Sequence, residues 1–215
     1  MRSLTPLEAR ALGVLVEKQA TVPDTYPLSL NALLAGCNQK TARHPVIEAS
    51  EAELLTAVDG LKALSLVFEG SGARVVRYEH NMARVLGLPG AAVALLAVLM
   101  LRGPQTAAEL RLNSERLHRF ADVSSVEGFL EELAAKDPPR TQKLARAPGA
   151  REARWAQLLC GPVADAPAAA AADNGAAGGV GAQELAALKA ELTRQAAQIE
   201  ALRTQLARIC TELGL

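Results

Sequence analysis

The chain has 215 residues and a mass of 22.5 kDa, and its 23 Lys and Arg balance its 23 Asp and Glu. This balance excludes a global field that would draw the chain to nucleic acid or membrane, and an aromatic content of 3% argues against a base-stacking surface for single strands. The longest apolar run, residues 91–101, is too short to span a bilayer. We therefore expect a soluble, cytoplasmic protein without membrane insertion.

Capping boxes mark two helices of the amino-terminal segment. Thr5-Pro6-Leu7-Glu8, with proline at the first helical position, opens a helix through about residue 19, and Ser50-Glu51-Ala52-Glu53 opens another over residues 51–64. A short apolar helix over residues 30–37 is predicted between them. The third helix should bury one stripe of side chains, Leu54, Leu55, Val58 and Leu61.

A β-hairpin is predicted after these helices. Residues 66–69 and 74–78 are rich in β-branched and aromatic side chains and flank the turn Gly70-Ser71-Gly72, which is the pattern of two short antiparallel strands. Three helices followed by a hairpin are the elements of a winged helix. The sequence thus predicts a winged-helix domain over residues 3–80.

The next segment repeats this order of elements without repeating the residues. An apolar helix begins at Pro89, a short helix begins at Thr106, and Ser124-Ser125-Val126-Glu127 is a further capping box. Two basic strands follow, over residues 140–146 and 151–159. The repetition predicts a second winged-helix domain over residues 81–161 and a fold class that is mainly α with small β-hairpins (α+β).

The composition changes after this segment. Residues 162–182 are almost entirely Ala, Gly and Pro and should form a flexible linker. In residues 183–215, apolar side chains recur every three and four residues, which predicts a coiled-coil helix. Its seam, with one polar residue that can set the register, is Leu185, Leu188, Leu192, Gln195, Ile199, Leu202, Leu206, Ile209 and Leu213. Few charges flank the seam, so we expect a homo-oligomer; packing of this helix onto the preceding domains is the alternative.

Six runs carry a family resemblance: Leu4-Thr5-Pro6-Leu7-Glu8-Ala9-Arg10, Tyr26-Pro27-Leu28-Ser29-Leu30-Asn31-Ala32-Leu33, Cys37-Asn38-Gln39-Lys40, Leu101-Arg102-Gly103-Pro104-Gln105-Thr106-Ala107, Ser114-Glu115-Arg116-Leu117-His118 and Phe120-Ala121-Asp122-Val123. Over residues 3–161 the chain resembles the YceH-like family of bacterial proteins of unknown function. The resemblance implies two winged-helix domains and a bacterial source. It implies no activity and no catalytic residues.

Catalytic and metal-binding motifs are missing from the sequence. Neither G-x-S-x-G nor H-E-x-x-H occurs, and no C-x-x-C is present. The histidines and cysteines stand far from one another: His44, His80, His118, Cys37, Cys160 and Cys210. We therefore expect a protein that is not an enzyme and binds no cofactor or metal, with Cys37 and Cys160 acting as buried small apolar residues.

Winged helices often place the third helix in the major groove of DNA. The predicted outward face of residues 51–64 carries Ala52, Thr56, Asp59, Gly60 and Ala63, and that of residues 125–136 carries Gly128, Glu131, Glu132 and Ala135. Neither face offers Arg, Asn or Gln to a base edge, and its carboxylates would face phosphates. These helices are therefore predicted to be poor DNA readers, although their small residues permit close approach of a protein.

Basic residues give the DNA hypothesis separate support. Residues 81–160 hold 11 Lys and Arg against 8 Asp and Glu. The candidate phosphate contacts are Arg111, Arg116, Arg119, Arg140, Lys143, Arg146, Arg151 and Arg154 in this segment, and Lys40, Arg43, Arg74 and Arg77 in the first. The alternatives are a solvated basic edge that discourages strand pairing and, in the loop 38–44, polar residues that order the backbone.

Two functions follow from these patterns. The first is a DNA-associated regulator that contacts duplex phosphates through the basic hairpin of the second domain, an inference by fold analogy. The alternative is a protein-assembly adaptor that uses the winged helices and the carboxyl-terminal coiled coil for protein contacts.

Overall fold

The computed structural model of the chain describes residues 1–70, 75–146 and 149–163. Its helices are α1 (Pro6–Thr21), α2 (Leu30–Cys37), α3 (Glu51–Ala63), α4 (Met82–Leu86), α5 (Gly90–Arg102), α6 (Ala107–Ser114) and α7 (Val123–Ala134). Its strands are β1 (Leu28–Ser29), β2 (Val67–Gly70), β3 (Arg77–His80), β4 (Thr141–Lys143) and β5 (Trp155–Gln157). The described fold is thus mixed α and β. Arg74, most of the predicted linker and the whole predicted coiled coil lie outside the described residues.

The first sheet is antiparallel, with the strand order β1-β3-β2. Leu28 pairs with Tyr78, and Val67 pairs with His80. Strand β3 begins later than predicted, and the two-residue β1 was not predicted because it is too short to show a period. The partner of β1 is about 50 residues away along the chain, so pairing rather than local sequence creates this strand.

The second sheet is a hairpin in which Thr141 pairs with Gln157 and Lys143 pairs with Trp155. Both strands are shorter than predicted. Gln105, just before α6, makes an isolated bridge to Trp155 through two backbone hydrogen bonds of 3.1 and 2.7 Å. Strand β1 has the corresponding position in the first segment, just before α2, and pairs with β3, the last strand of that segment. The two segments therefore share this short edge pairing as well as the order of their main elements.

Side-chain caps begin most helices where the sequence indicates. The Thr5 and Ser50 side chains accept hydrogen bonds from Glu8 N–H and Glu53 N–H, and both capping boxes are complete. The predicted box at Ser124 is wrong: the Asp122 carboxylate accepts from Ser125 N–H at 2.7 Å, and α7 begins at Val123. Asp is as strong an N-cap as Ser, and here it comes two residues earlier in the chain.

The buried stripe of α3 also differs from the prediction. Leu54, Val58 and Leu61 are buried, but Leu55 is 43% exposed. One residue advances a helix by about 100°, which turns Leu55 away from the stripe that begins at Leu54, and Ala57 is buried in its place.

Helices α1 and α5 pack together at the centre of the described structure, and apolar side chains from both contribute to one core cluster. Gly13 permits their close approach, because a Cβ there would stand 3.0 Å from Leu101 Cγ. A second cluster joins Leu95 and Leu99 of α5 to the helices and hairpin that follow, so α5 contributes to both cores. The described residues lie within one compact unit. The division into domains 3–80 and 81–161 stays a prediction. Among the described residues, no helix is long and apolar enough to cross a membrane.

Candidate nucleic-acid interface

The hairpin β4–β5 carries an exposed set of cations. Lys143, Arg146, Arg151 and Arg154 are all exposed, and Leu144 N–H donates to Arg154 C=O at 2.8 Å, which extends the pairing beyond β4. None of these four cations forms an ion pair with a described residue. Glu152 is the single carboxylate among residues 140–154. The hairpin thus presents a local positive excess to solvent.

Packing holds the base of this hairpin in place. Trp155 is buried, and Lys143 Nζ lies 5.3 Å from the centroid of its ring, so the ammonium stands over an aromatic face. The Thr141 hydroxyl donates to Leu130 C=O of α7 at 2.8 Å. These contacts fix the strands while the cations beyond them stay in water.

The other predicted cations of this segment lie on different elements. Arg140 is half-buried between α7 and β4, where its backbone N–H donates to Leu133 C=O. Arg111 is half-buried on α6 and donates to Ala121 C=O at 3.3 Å. Arg116 and Arg119 are exposed in the connection from α6 to α7, with Arg119 3.9 Å from Glu115. The structure therefore groups four of the eight predicted cations of this segment on one ribbon.

Arg43 does not belong to a surface for nucleic acid, and its prediction as a phosphate contact is wrong. The residue is 6% exposed, and its guanidinium donates to both carboxylate oxygens of Glu17, at 3.1 and 2.5 Å. Its Nε donates to Gly36 C=O at 3.1 Å. Nη1 also donates to Ala42 C=O at 2.9 Å and Nη2 to Gln39 Oε1 at 3.4 Å, so this buried guanidinium has no donor left for an external phosphate.

The remaining cations of the first segment differ among themselves. Arg77 is exposed, but its Nη1 donates to Pro27 C=O at 2.8 Å and to Thr25 C=O at 3.3 Å. These hydrogen bonds connect β3 to the residues that precede β1. Lys40 is exposed in the loop after α2. In the same loop, the Asn38 amide donates to Ala49 C=O and accepts from Ala49 N–H at 2.8 and 2.9 Å. Asn38 therefore orders the backbone here.

The third helices are acidic where they are exposed. Glu131 and Glu132 of α7 and Asp59 of α3 are all exposed. Gly60, which was expected on the outward face of α3, instead lies against Glu8 and Arg2, and a Cβ there would collide with the Glu8 carboxylate. The salt bridge to Arg2 lowers the pKa of that buried Glu8 carboxyl.

The histidine and cysteine side chains of the described residues differ in their surroundings. No group of three His, Cys, Asp or Glu residues is placed there to hold a metal. Cys37 is buried, as predicted, and burial raises its thiol pKa to about 12, which leaves it protonated and weakly nucleophilic. Cys160 is half-buried. His80 is half-buried beside Gln19, whereas His44 and His118 are exposed.

One potentially functional residue had no place in the sequence-based prediction. Arg10 is 3% exposed on α1 and lines a cavity of about 400 Å³. The available signal was its position, because Arg10 is the single charged residue between Ala9 and Val16 in an otherwise apolar helical run. A charge on the buried side of a helix is unusual enough to mark a site.

Comparison with known proteins places the chain in a family. Residues 4–150 match the family described as "Protein of unknown function, DUF480". The chain belongs to the DUF480 family. A UPF0502 protein of Leptothrix cholodnii is 66% identical over 215 residues, which are 100% of this chain and 97% of that protein. UPF0502 proteins of Burkholderia multivorans and Burkholderia pseudomallei are each 64% identical over 100% of this chain and 91% of their own length. DUF480 membership confirms the expected resemblance to an uncharacterised bacterial family.

Proposed function

We propose that this DUF480 protein is a tandem winged-helix protein that binds duplex DNA through backbone phosphates, with the hairpin β4–β5 as its contact wing. The observation that carries the proposal is the group of exposed hairpin cations without ion-pair partners among the described residues: Lys143, Arg146, Arg151 and Arg154. Lys and Arg that replace condensed counterions along a duplex supply affinity without reading sequence.

The winged-helix assignment is supported by the repeated order of elements. Helices α1, α2 and α3 precede the hairpin β2–β3, and α5, α6 and α7 precede β4–β5. The edge pairing before the second helix of each segment, by β1 and by Gln105, also repeats. In such a module the wing contacts the backbone, and the acidic exposed face of α7 leaves the wing as the contact that phosphates favour.

Salt dependence tests this proposal. Binding of a 25-base-pair duplex, measured by fluorescence anisotropy, should weaken as salt rises from 20 to 200 mM. The slope of the logarithm of the binding constant against the logarithm of the salt concentration should become smaller by about 0.9 for each phosphate contact removed. The double variant Arg146→Ala/Arg151→Ala should therefore lower the slope by about 2 and weaken binding equally on unrelated sequences.

The matched control removes the same charge elsewhere. Arg84 and Lys136 are exposed and lie outside the hairpin, so Arg84→Ala/Lys136→Ala should keep most of the wild-type slope. Equal losses in the two double variants would show a response to net charge alone and would contradict a role for the hairpin. Absence of duplex binding at 20 mM salt would contradict DNA binding altogether.

The second candidate function is that of a protein-assembly adaptor, and a specific observation favours it. Phe68, Val75 and Val76 of the first hairpin region are all large apolar residues that are exposed, at 45%, 55% and 43%. Together with the acidic face of α7, these residues suit a protein partner better than a polyanion. This function would be favoured if the protein bound no duplex DNA but did bind a protein partner.

We also propose that the protein is not an enzyme and that it self-associates through residues 183–215. The support is the heptad seam from Leu185 to Leu213, and this segment lies outside the described residues. Removal of residues 183–215 should lower the mass measured by light scattering and leave the helical signal of residues 1–163 in place. An unchanged oligomer mass would contradict the seam as the association site.

A further inference from the structure

A cavity of about 400 Å³ lies among the first turns of α1, the connection 44–49, the end of α5 and residues 157–160. Apolar side chains make up much of its wall, including Leu7, Ile47, Leu99 and Met100. Its volume lies in the range of sites that enclose small organic molecules.

Arg10 gives this apolar cavity a buried positive charge. The residue lines the cavity and is 3% exposed. Its Nη1 donates to Cys37 C=O at 3.1 Å, and its Nη2 donates to Pro45 C=O at 2.6 Å. Pro45 itself lines the cavity, so Nη2 donates to a carbonyl of a wall residue. The Nε N–H is buried and has no acceptor among the described residues.

The charge of Arg10 has no counterion in the part of the chain that the structure describes. Carboxylates do not lie within ion-pair distance of its guanidinium there, and Glu17, the next carboxylate along α1, pairs with Arg43 and Lys18. Burial, with a smaller contribution from the charge of Arg43, lowers the pKa of Arg10. A buried cation with only neutral acceptors is costly, and an anion in the cavity would offset that cost.

The other titratable residues of the wall leave room for an anion. The Glu53 carboxylate accepts from the N–H and the hydroxyl of Ser50, at 2.8 and 2.7 Å. Glu48 and His44 are exposed and therefore hydrated. Burial raises the pKa of the Cys160 thiol, which keeps it neutral at pH 7. Among the described residues of the wall, Arg10 is therefore the one buried charge.

We infer that this cavity binds a small organic monocarboxylate with a hydrocarbon body, whose carboxylate accepts hydrogen bonds from the guanidinium of Arg10. A guanidinium has five N–H donors in a planar fork, and two of those of Arg10 are used by backbone carbonyls. The remaining donors suit the two oxygens of one carboxylate, and the walls suit a hydrocarbon chain. The hairpin β4–β5 contributes only Gln157, the last residue of β5, to the wall among the described residues, and the inference does not rest on DNA binding.

Straight-chain carboxylates probe both parts of the site. In calorimetric titrations of the full-length protein, octanoate should bind about 15-fold more tightly than hexanoate, because each buried methylene adds about fourfold in affinity. Octanamide has the same chain without the charge and should bind at least about tenfold more weakly than octanoate. Absence of saturable octanoate binding at millimolar concentration, or equal binding of octanoate and octanamide, would overturn the inference.

A matched pair of variants locates the site. Ile47 lines the cavity and is half-buried, so Ile47→Glu and Ile47→Gln differ in charge at nearly the same volume. Ile47→Glu should weaken octanoate binding about fivefold relative to Ile47→Gln and leave octanamide unchanged. Equal octanoate affinities in this pair would place the ligand elsewhere. Arg10→Met should abolish the preference for octanoate over octanamide, and a thermal melt of this variant checks that it folds.

Discussion

Most cations of the first segment are held by partners within the fold, with Lys40 exposed, whereas those of the hairpin β4–β5 are all exposed to solvent. Arg2 pairs with Glu8, Arg43 pairs with Glu17, and Lys62 pairs with Asp59 and Glu69. Arg77 is tied to two backbone carbonyls. The four hairpin cations of the second segment, residues 143–154, have no ion pairs with described residues.

The two segments therefore share an order of elements but differ in the surroundings of their cations. In the first segment, Arg2 and Arg43 are neutralised by Glu8 and Glu17, whereas Arg10 and Arg77 donate to backbone carbonyls of residues far away in the chain. In the second, the hairpin is held by Trp155 and Thr141, and its cations are exposed without ion pairs to described residues. The distribution of charge, rather than the element order, therefore distinguishes the two segments.

The sharpest test of this contrast removes one arginine from each segment. Arg43→Met should lower the free energy of unfolding by about 3 kcal/mol, because it leaves the partly buried Glu17 without its main partner. Arg154→Met, at an exposed position of the hairpin, should change it by less than about 0.5 kcal/mol. Urea unfolding followed by circular dichroism measures both. Similar losses in the two variants would contradict the contrast.

A pH titration probes the first segment at the half-buried His80. Burial lowers the pKa of His80 to about 4. His80 Nε2 lies 2.8 Å from Gln19 Oε1, and Met82 N–H points to Nδ1 at 3.4 Å, an arrangement that suits the neutral ring. The unfolded chain takes up a proton near pH 6.5 and the folded chain does so only near pH 4, so stability falls as the pH falls through this window.

The expected loss between pH 7.5 and pH 4.5 from this residue is about 2 kcal/mol, which allows for its partial exposure. His80→Gln should flatten the pH dependence of the urea midpoint, whereas His118→Gln, at an exposed position of the second segment, should retain it. A His80→Gln variant with the full wild-type pH dependence would assign that dependence to other groups.

Local chemistry explains which features could be predicted from the sequence. Capping boxes act within four residues, so Thr5 and Ser50 indicated their helices correctly, and α2 has the predicted limits. The winged-helix assignment and the coiled coil stay predictions. Pairings over long separations could not be predicted: Arg43 and Glu17 are 26 residues apart, and the carbonyls that hold Arg10 are 27 and 35 residues away. Such contacts decide whether the donors of an arginine are available to a ligand or are used within the fold.

The smallest expected effect concerns the start of α7, where sequence and structure disagree about the cap. Asp122→Ala should lower the Tm by about 2–4 °C, because it removes the acceptor for Ser125 N–H and the carboxylate that stabilises the first turn of the helix. Ser124→Ala should leave the Tm nearly unchanged, since the Ser124 side chain makes no cap bond in α7. Thr5→Ala, which breaks the capping box of α1, is the matched reference in the first segment. A larger loss for Ser124→Ala than for Asp122→Ala would restore the capping box predicted from the sequence and would move the start of α7 toward the hairpin.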